Sequence, residues 1–482
     1  MNSSDTKLLL VPIETLKREL DSRLLLSLKL LKLNKKWKII FGKVDLVGSY
    51  WRNKKCDNKF IYLSKGTVYS KSYYQKLLSK KGYYFLLDEE GAIFSKYIKE
   101  KSPRGGKNND LIQYMSQIIF WGEEELKNYL KRHKKYLTLE KYSICGNPRF
   151  DLCKKKYNYF YHAISKNKKN EQKNFIMIDS AFGGFNNIVD LKSQLDHWSK
   201  IKYEGGRGEV TPENWLEKNK PLYDFQSKLF PKFVEGIKFI TNKLPDYKFL
   251  IRPHPIENIN TWMDHFKDYK NVKITNKDTA VSHFINARLM IHNGCSTAVE
   301  ASFSNIPSIC FLPVYSDNYI QELPRDVSFL AKNNEELLEM VLRLYENKTD
   351  QDYQKNLRKI VKPHIDNTDY ESSEKIAKLI NNYDFNTVIN FNYDFTLKGQ
   401  LQKYLSEKMY SLLAKFYRKI LKKNEDELTT KLKFKERDKI KFSSLLYDDV
   451  KIRINTFKEI DKDLPNINLK ELKENLFELS LN

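Results

Sequence analysis

Arg252-Pro253-His254-Pro255 directly follows an apolar run, and the prolines on either side of the histidine stiffen its backbone. A histidine and an arginine held rigidly at a strand's end suit a phosphate, which needs hydrogen-bond donors and positive charge. A second candidate runs from Ile291 to Ala301 and reads as a strand, a turn through Asn293-Gly294, and a helix opening on Ser296 and Thr297. Free N–H groups at a helix start favour an anion, and either hydroxyl adds a donor. Glu300, about one turn further in, is placed to accept from ribose hydroxyls. Each pattern also has a plainer reading, a turn that caps a strand and an ordinary helix cap. Two anion-suited edges in one region favour a shared phosphate site.

Carboxylates supply the other half of a transfer chemistry. Asp88-Glu89-Glu90-Gly91 follows another strand-like run, and three adjacent carboxylates repel one another, which can keep one of them protonated for acid–base work. A solvated acidic turn is the alternative. Arg18 and Arg23 on the first helix, and Arg149 in Gly146-Asn147-Pro148-Arg149-Phe150-Asp151, offer guanidinium groups for a substrate carboxylate or phosphate. For the first pair an intrahelical ion pair between Glu19 and Arg23 is the plainer arrangement and the favoured one. Asp179 ends a further strand and is the candidate nucleophile if the chemistry passes through a covalent intermediate. No acidic metal-binding DxD motif stands beside the phosphate candidate, so neither a metal nor another cofactor is expected.

These residues need elements to hold them, and the hydrophobic pattern supplies an alternating α/β chain. Strands are expected at 8–13, 38–41, 60–63, 83–87 and 118–121, with helices at 16–33, 70–81 and 123–132. The alternation pauses in a Lys-, Asn- and Tyr-rich stretch and restarts with strands at 175–178, 249–251, 272–274, 289–291 and 308–312 and helices at 230–244 and 334–345. The expected organisation is a Rossmann-like acceptor-side domain over 1–153, a linker over 154–173, and a second Rossmann-like, nucleotide-binding domain over 174–384. A basic helical tail over 385–482 completes it. The aperiodic stretch 183–223 is long for a connection and reads as a lid over a cleft. In the tail, Leu401, Leu405, Leu412, Phe416 and Ile420 share one helical face with lysines elsewhere. This is a basic amphipathic helix suited to packing on its own protein or lying on an anionic membrane.

Composition sets outer bounds. The 482 residues are 41% hydrophobic with only 17 Gly and 14 Pro, so the chain can bury a sizeable interior. Lys+Arg 85 against Asp+Glu 61 leaves +24, a field that attracts polyanions, anionic headgroups or phosphorylated small molecules. Lysine and asparagine are plentiful throughout, so charge alone selects no partner. No nucleic-acid motif accompanies the charge, and aromatics are not interleaved with basic residues as on a reading surface, so no nucleic-acid partner is expected. Five cysteines without CxxC spacing fit a reducing compartment. Signal-peptide and membrane-span patterns are absent, so a cytoplasmic location is expected, with peripheral contact at the inner membrane face left open by the tail.

In order along the chain, the motifs at Glu14–Arg23, Leu86–Gly91, Phe120–Gly122, Gly146–Asp151, Arg252–Pro255 and His292–Ala301 resemble the surface carbohydrate biosynthesis proteins of bacteria. These are glycosyltransferase-like chains of GT-B architecture related to the Kdo transferases of capsule and lipopolysaccharide O-antigen assembly. The resemblance spans roughly 8–383. The acid-acid-Gly, His-Pro and Ser/Thr elements are also similar to those of bacterial sialyltransferases, which use a CMP-activated acidic sugar. That similarity implies Glu90 as catalytic acid/base with Glu89 beside it, His254 as the contact to the CMP phosphate, and Ser296 and Thr297 as further phosphate contacts. A Ser-Thr pair here replaces the sialyltransferase serine pair. The implied reaction transfers a Kdo-like or other acidic sugar from a CMP-sugar to a glycan or lipid-linked oligosaccharide. A glycerophosphotransferase, a UDP- or GDP-sugar transferase, a sugar-nucleotide epimerase and a catalytically inert chain of the same fold remain alternatives.

Overall fold

Strand β1 (Lys7–Ile13) is buried at every position but its first, the pattern of a central parallel strand covered on both faces. In the computed structural model, residues 6–53, 58–66, 71–91, 93, 95–96, 109–164, 174–194, 212–346, 351–386 and 425–481 are described. β1 lies between β2 (Trp37–Lys43) and β3 (Phe60–Ser64), and β4 (Gly82–Leu87), β5 (Gln117–Phe120) and β6 (Tyr142–Ile144) follow in parallel. The second sheet contains β7 (Phe175–Asp179), β8 (Phe249–Arg252), β9 (Val272–Ile274), β10 (Ala287–His292), β11 (Ser308–Phe311) and β12 (Phe329–Ala331). Its order is β12-β11-β10-β7-β8-β9, all parallel. Two doubly wound parallel-sheet domains facing a cleft, with helices in the C-terminal tail, make the expected GT-B architecture.

The first helix, Leu16–Leu33, has the expected bounds and is buried along most of its length. It lies between the first sheet and the helix Ser372–Asn381, so the chain crosses back to the first domain after the second is complete. Its buried charges are matched by partners from distant segments. Lys29, only 3% exposed, meets Glu374 at 2.8 Å, Asp461 at 2.9 Å and Glu371 at 3.3 Å. Burial alone would lower the Lys29 ammonium, but these carboxylates outweigh it and raise it.

Three expectations change. The 154–173 stretch contains a 3-10 turn at Lys155–Tyr157 and a helix at Asn158–Ile164, and its remainder, 165–173, lies outside the described residues. The helix expected from residue 230 begins at Pro212, so the last part of the expected lid is helical. Pro221 and Pro231 inside that helix interrupt the period a sequence reading depends on. Of the lid, 195–211 lies outside the described residues, as does the amphipathic segment around Leu401–Leu421.

The tail holds the helices Glu425–Lys441 and Tyr447–Ile460 and then a hairpin that the sequence reading did not include. β14 (Leu476–Leu481) pairs antiparallel with β2, and β13 (Ile467–Lys473) pairs with β14, extending the first sheet to eight strands. Phe477 stacks on Phe41 at 5.5 Å between ring centroids, covering what would be an exposed apolar edge. Gly42 is shaped for this union. Its φ is +149°, and a Cβ there would lie 2.2 Å from the Asn475 carbonyl oxygen. The tail is thus part of the first domain's sheet. Among the described residues no helix is long and apolar enough to cross a membrane.

Candidate active-site cleft

In the second sheet the strand order reverses between β7 and β10, and ligands of open α/β sheets bind outside the strand ends at such a point. Asp179 and His292 end these two strands, and Arg252 ends the adjacent β8. Asp179 is 1% exposed, and its carboxylate meets Arg252 Nη1 at 3.0 Å and accepts from Thr297 Oγ1 at 3.2 Å and Cys295 Sγ at 3.1 Å. A carboxylate so engaged positions Arg252, and the Thr297 hydroxyl expected to meet phosphate is occupied in holding it. Ser296 remains half-buried, with no hydrogen bond from its hydroxyl among the described residues. The helix it precedes, Thr297–Phe303, has only seven residues. Few aligned peptide dipoles stand behind its start, so an anion placed there would be held chiefly by side chains.

His254 is the clearest of these. The Ile256 N–H donates to its Nδ1 at 3.3 Å, which sets the neutral ring as the Nε2–H tautomer. Burial pulls the imidazole down to about 4, with the Arg252, Arg18 and Lys441 charges acting in the same direction and Asp179 opposing. The loop bearing it is built on Glu257, a residue absent from the sequence reading. The Glu257 carboxylate is 1% exposed and accepts from the Ser180 hydroxyl and the Phe182 N–H at 2.9 Å, the Trp262 indole at 2.9 Å and the His254 N–H at 3.2 Å. Burial pushes this carboxyl up to about 7 against those four donors. Glu257→Gln sets an amide N–H among partners of which three, the Phe182 and His254 N–H groups and the Trp262 indole, only donate. It is expected to cost about 1–3 kcal/mol in urea unfolding and to weaken any ligand that depends on His254.

Asn293 and Gly294 tie the two strand-end loops together. The Ala181 N–H donates to Asn293 Oδ1 at 2.8 Å, and the Gly294 N–H donates to His292 Nδ1 at 3.0 Å. Gly294 has φ +95°, a conformation that a side-chain-bearing residue adopts only with strain. His292 is fully buried, pulled down to about 3 by desolvation, and serves this turn structurally. Beside it, Asn293, Gly294, Phe225, Gln226, Tyr319 and Gln321 line a small cavity to which the first domain contributes Ser95.

The opposite wall comes from the first domain. Glu89 is buried and paired with Arg23 at 2.7 Å, so Arg23 meets Glu89 across the sheet edge in place of the expected partner Glu19. Glu90 is 48% exposed and pairs with Arg18 at 2.9 Å. Asp88 Oδ1 accepts the Glu90 N–H at 2.9 Å. The carboxylates expected to repel one another are therefore separated, one buried on an arginine and one facing the cleft. The Arg18 charge is one of several that oppose protonation of the His254 imidazole, burial being the largest cause. Lys17 adds a further cation and reaches the Asn276 carbonyl of the second domain at 2.5 Å.

Arg149 does not line that space as a substrate arm. It is 8% exposed, lies over Trp121, and forms an ion pair with Glu300 at 3.1 Å that bridges the two domains. Burial raises the Glu300 carboxyl, with the Arg149 and Arg252 charges opposing. The same motif continues the bridge through Asp151, which accepts from Asn367 Nδ2 and from the Ser372 and Ser373 N–H groups at 2.7–2.9 Å. Gly146–Asp151 thus docks the returning segment that leads into Ser372–Asn381. Among the described residues no group of three or more His, Cys, Asp or Glu is placed to hold a metal ion.

No protein-family profile matches the chain, and no curated protein matches it. Solved structures do. The UDP-GlcNAc 2-epimerase of Methanocaldococcus jannaschii, in complex with UDP-GlcNAc and UDP, is 13% identical over 78% of this chain and 99% of its own, at a TM-score of 0.43. The wall teichoic acid polymerase TagF, as a histidine-to-asparagine variant soaked with CDPG, is 13% identical over 78% of this chain and 87% of its own, at 0.48. The UDP-GlcNAc 2-epimerase of Neisseria meningitidis, bound to UDP-GlcNAc, is 12% identical over 78% of this chain and 100% of its own, at 0.46.

Proposed function

We propose that the chain is a glycosyltransferase of bacterial surface polysaccharide assembly that draws an acidic sugar from a CMP-activated donor. One observation carries the reading. The neutral His254 presents Nε2–H near Arg252 at a parallel-sheet switch point, and the first domain contributes the exposed Glu90–Arg18 pair, whose arginine charge acts on that imidazole. The first arrangement suits a phosphate leaving group, and the second suits activation of an acceptor hydroxyl.

In this mechanism the donor phosphate sits against His254 Nε2–H and the Ser296 hydroxyl, with Arg252 held by Asp179 as the fixed cation behind them. The acceptor hydroxyl loses its proton to Glu90 as its oxygen bonds to the anomeric carbon. The bond from that carbon to the phosphate oxygen breaks, and the electron pair leaves with CMP. His254 stabilises the charge that develops there. Asp179 takes a positioning role, since its oxygens already accept from Arg252, Thr297 and Cys295. Glycan or lipid-linked acceptors would be served from the cytoplasmic face, with peripheral membrane contact through the tail.

Thermal unfolding in the presence of CMP, CDP, UMP, UDP and GDP, for the wild type and for His254→Ala, tests the proposal. Stabilisation by CMP above the others, lost in the variant, is expected. Preference for CDP, UDP or GDP would replace the donor class and keep the transferase. Absence of stabilisation by any nucleotide would overturn the reading.

A further inference from the structure

The small cavity beside Gly294 is lined by groups that the transfer just described does not use. It is walled by the segments that follow β7, β10 and β11, whereas His254 follows β8 on the other side of the switch point. Its volume of about 80 Å³ is about that of two to three liquid waters, enough for one polar arm of a ligand. Two of its side chains carry an oxygen without a donor. Gln226 Nε2 donates to the Ala181 carbonyl at 3.0 Å, which fixes the amide's orientation and leaves Oε1 buried and unpartnered. Gln321 Oε1 is buried and unpartnered as well. Gln321 occupies the cap position of the helix Glu322–Asp326, yet its side chain makes no capping bond. Asn293, 8% exposed, uses Oδ1 to accept the Ala181 N–H, and its Nδ2 has no hydrogen bond among the described residues. Buried polar atoms are nearly always paired, and leaving one unpaired is unfavourable. Three amides around one cavity share a remedy, a ligand group that gives hydrogens to two oxygens and takes one from a nitrogen.

We propose that Gln226, Gln321 and Asn293 form a specificity subsite for the sugar that the donor carries, and that they engage its neutral hydroxyl or amido groups. The proposal rests on the transferase reading and names which part of the donor this cavity selects. No charged side chain lines the cavity among the described residues. Amide oxygens repel a phosphate or carboxylate, so the group seated here is uncharged. A hydroxyl both gives and takes a hydrogen bond, and an acetamido group offers an N–H and a carbonyl. Phe225 and Tyr319, with ring centroids 5.3 Å apart, wall the same cavity and suit the C–H groups of a sugar. Asn293 lies three residues before Ser296, the proposed phosphate contact, so a sugar bonded to that phosphate begins close to the cavity. Ten of the eleven lining residues belong to the second domain, and Ser95 is the first domain's contribution. That balance assigns the subsite to the donor, since the acceptor is activated at Glu90 in the first domain.

Calorimetric titration of the full chain with two matched pairs tests the subsite: CMP against CMP-N-acetylneuraminate, and UDP against UDP-GlcNAc. Wild type, Gln321→Met and Gln226→Met are compared. The readout is the ratio of sugar-nucleotide affinity to bare-nucleotide affinity within a pair, which cancels the contribution of the phosphate seat. In wild type the ratio is expected to exceed one for at least one pair. Each variant should lower it roughly three- to tenfold, the effect of one lost neutral hydrogen bond, with bare-nucleotide affinity unchanged. Gln321→Met should melt no earlier than wild type, because it removes a buried oxygen that has no donor. Gln226→Met also loses the bond to Ala181, so Gln321→Met carries the test if that variant fails to fold. Equal ratios in all three proteins, a wild-type ratio of one for both pairs, or equal weakening of nucleotide and sugar nucleotide would overturn the subsite. An earlier melting temperature for Gln321→Met with an unchanged ratio would make that residue structural and do the same. CMP binding that needs His254, with ratios that ignore both variants, removes the subsite and leaves the transferase. A ratio that falls in the variants for the UDP pair alone keeps the subsite and replaces the CMP donor class.

Discussion

His254→Ala is expected to lower kcat for sugar transfer by on the order of 10²–10³, the effect of removing one preorganised donor aimed at developing charge. His254→Asn, which keeps an N–H donor on a shorter arm, should recover part of that loss. The pH dependence separates this role from a cationic one. With the imidazole pulled down to about 4 by burial, the free enzyme holds His254 neutral at pH 7. Its protonation therefore contributes no limb to kcat/KM for the donor between about pH 5.5 and 8. A histidine acting as a phosphate-binding cation in the free enzyme would instead show activity falling through its ordinary range, near pH 6.5. A limb there that disappears in His254→Asn would refute the neutral-donor assignment.

The second large effect concerns the acidic turn. Glu90→Gln is expected to lower kcat by roughly 10²–10⁴, the usual contribution of a general base, with nucleotide affinity nearly unchanged because the residue stands on the acceptor side. Glu89→Gln should behave differently. It leaves Arg23 buried without its ionic partner, and breaking such a pair costs about 3–5 kcal/mol of stability, read as an earlier urea midpoint. If Glu89→Gln folds as stably as wild type and loses turnover while Glu90→Gln keeps it, the roles of the two neighbours are exchanged. Exposure supports the assignment as made: Glu90 is 48% exposed beside Arg18, whereas Glu89 is 3% exposed beside Arg23.

Local pattern determined much of this protein. Uninterrupted apolar runs such as Leu8–Ile13 are readable as parallel strands, because a strand covered on both faces has no polar positions to alternate with. The first helix shows its bounds in its own period, and the phosphate edge is visible because Arg252–Pro255 sits immediately after a strand. Which side chains are free to act is a different matter, since it depends on partners far away in the chain. Asp179 is committed by Arg252 and Thr297, Glu89 by Arg23 and Arg149 by Glu300, over separations no local pattern encodes. Glu257 looks like an ordinary acid until four donors from three segments converge on it. The tail shows the limit most plainly. Its hairpin alternates too weakly to stand out as strands, and only the open edge of β2, with Gly42 making room for Asn475, decides where it docks.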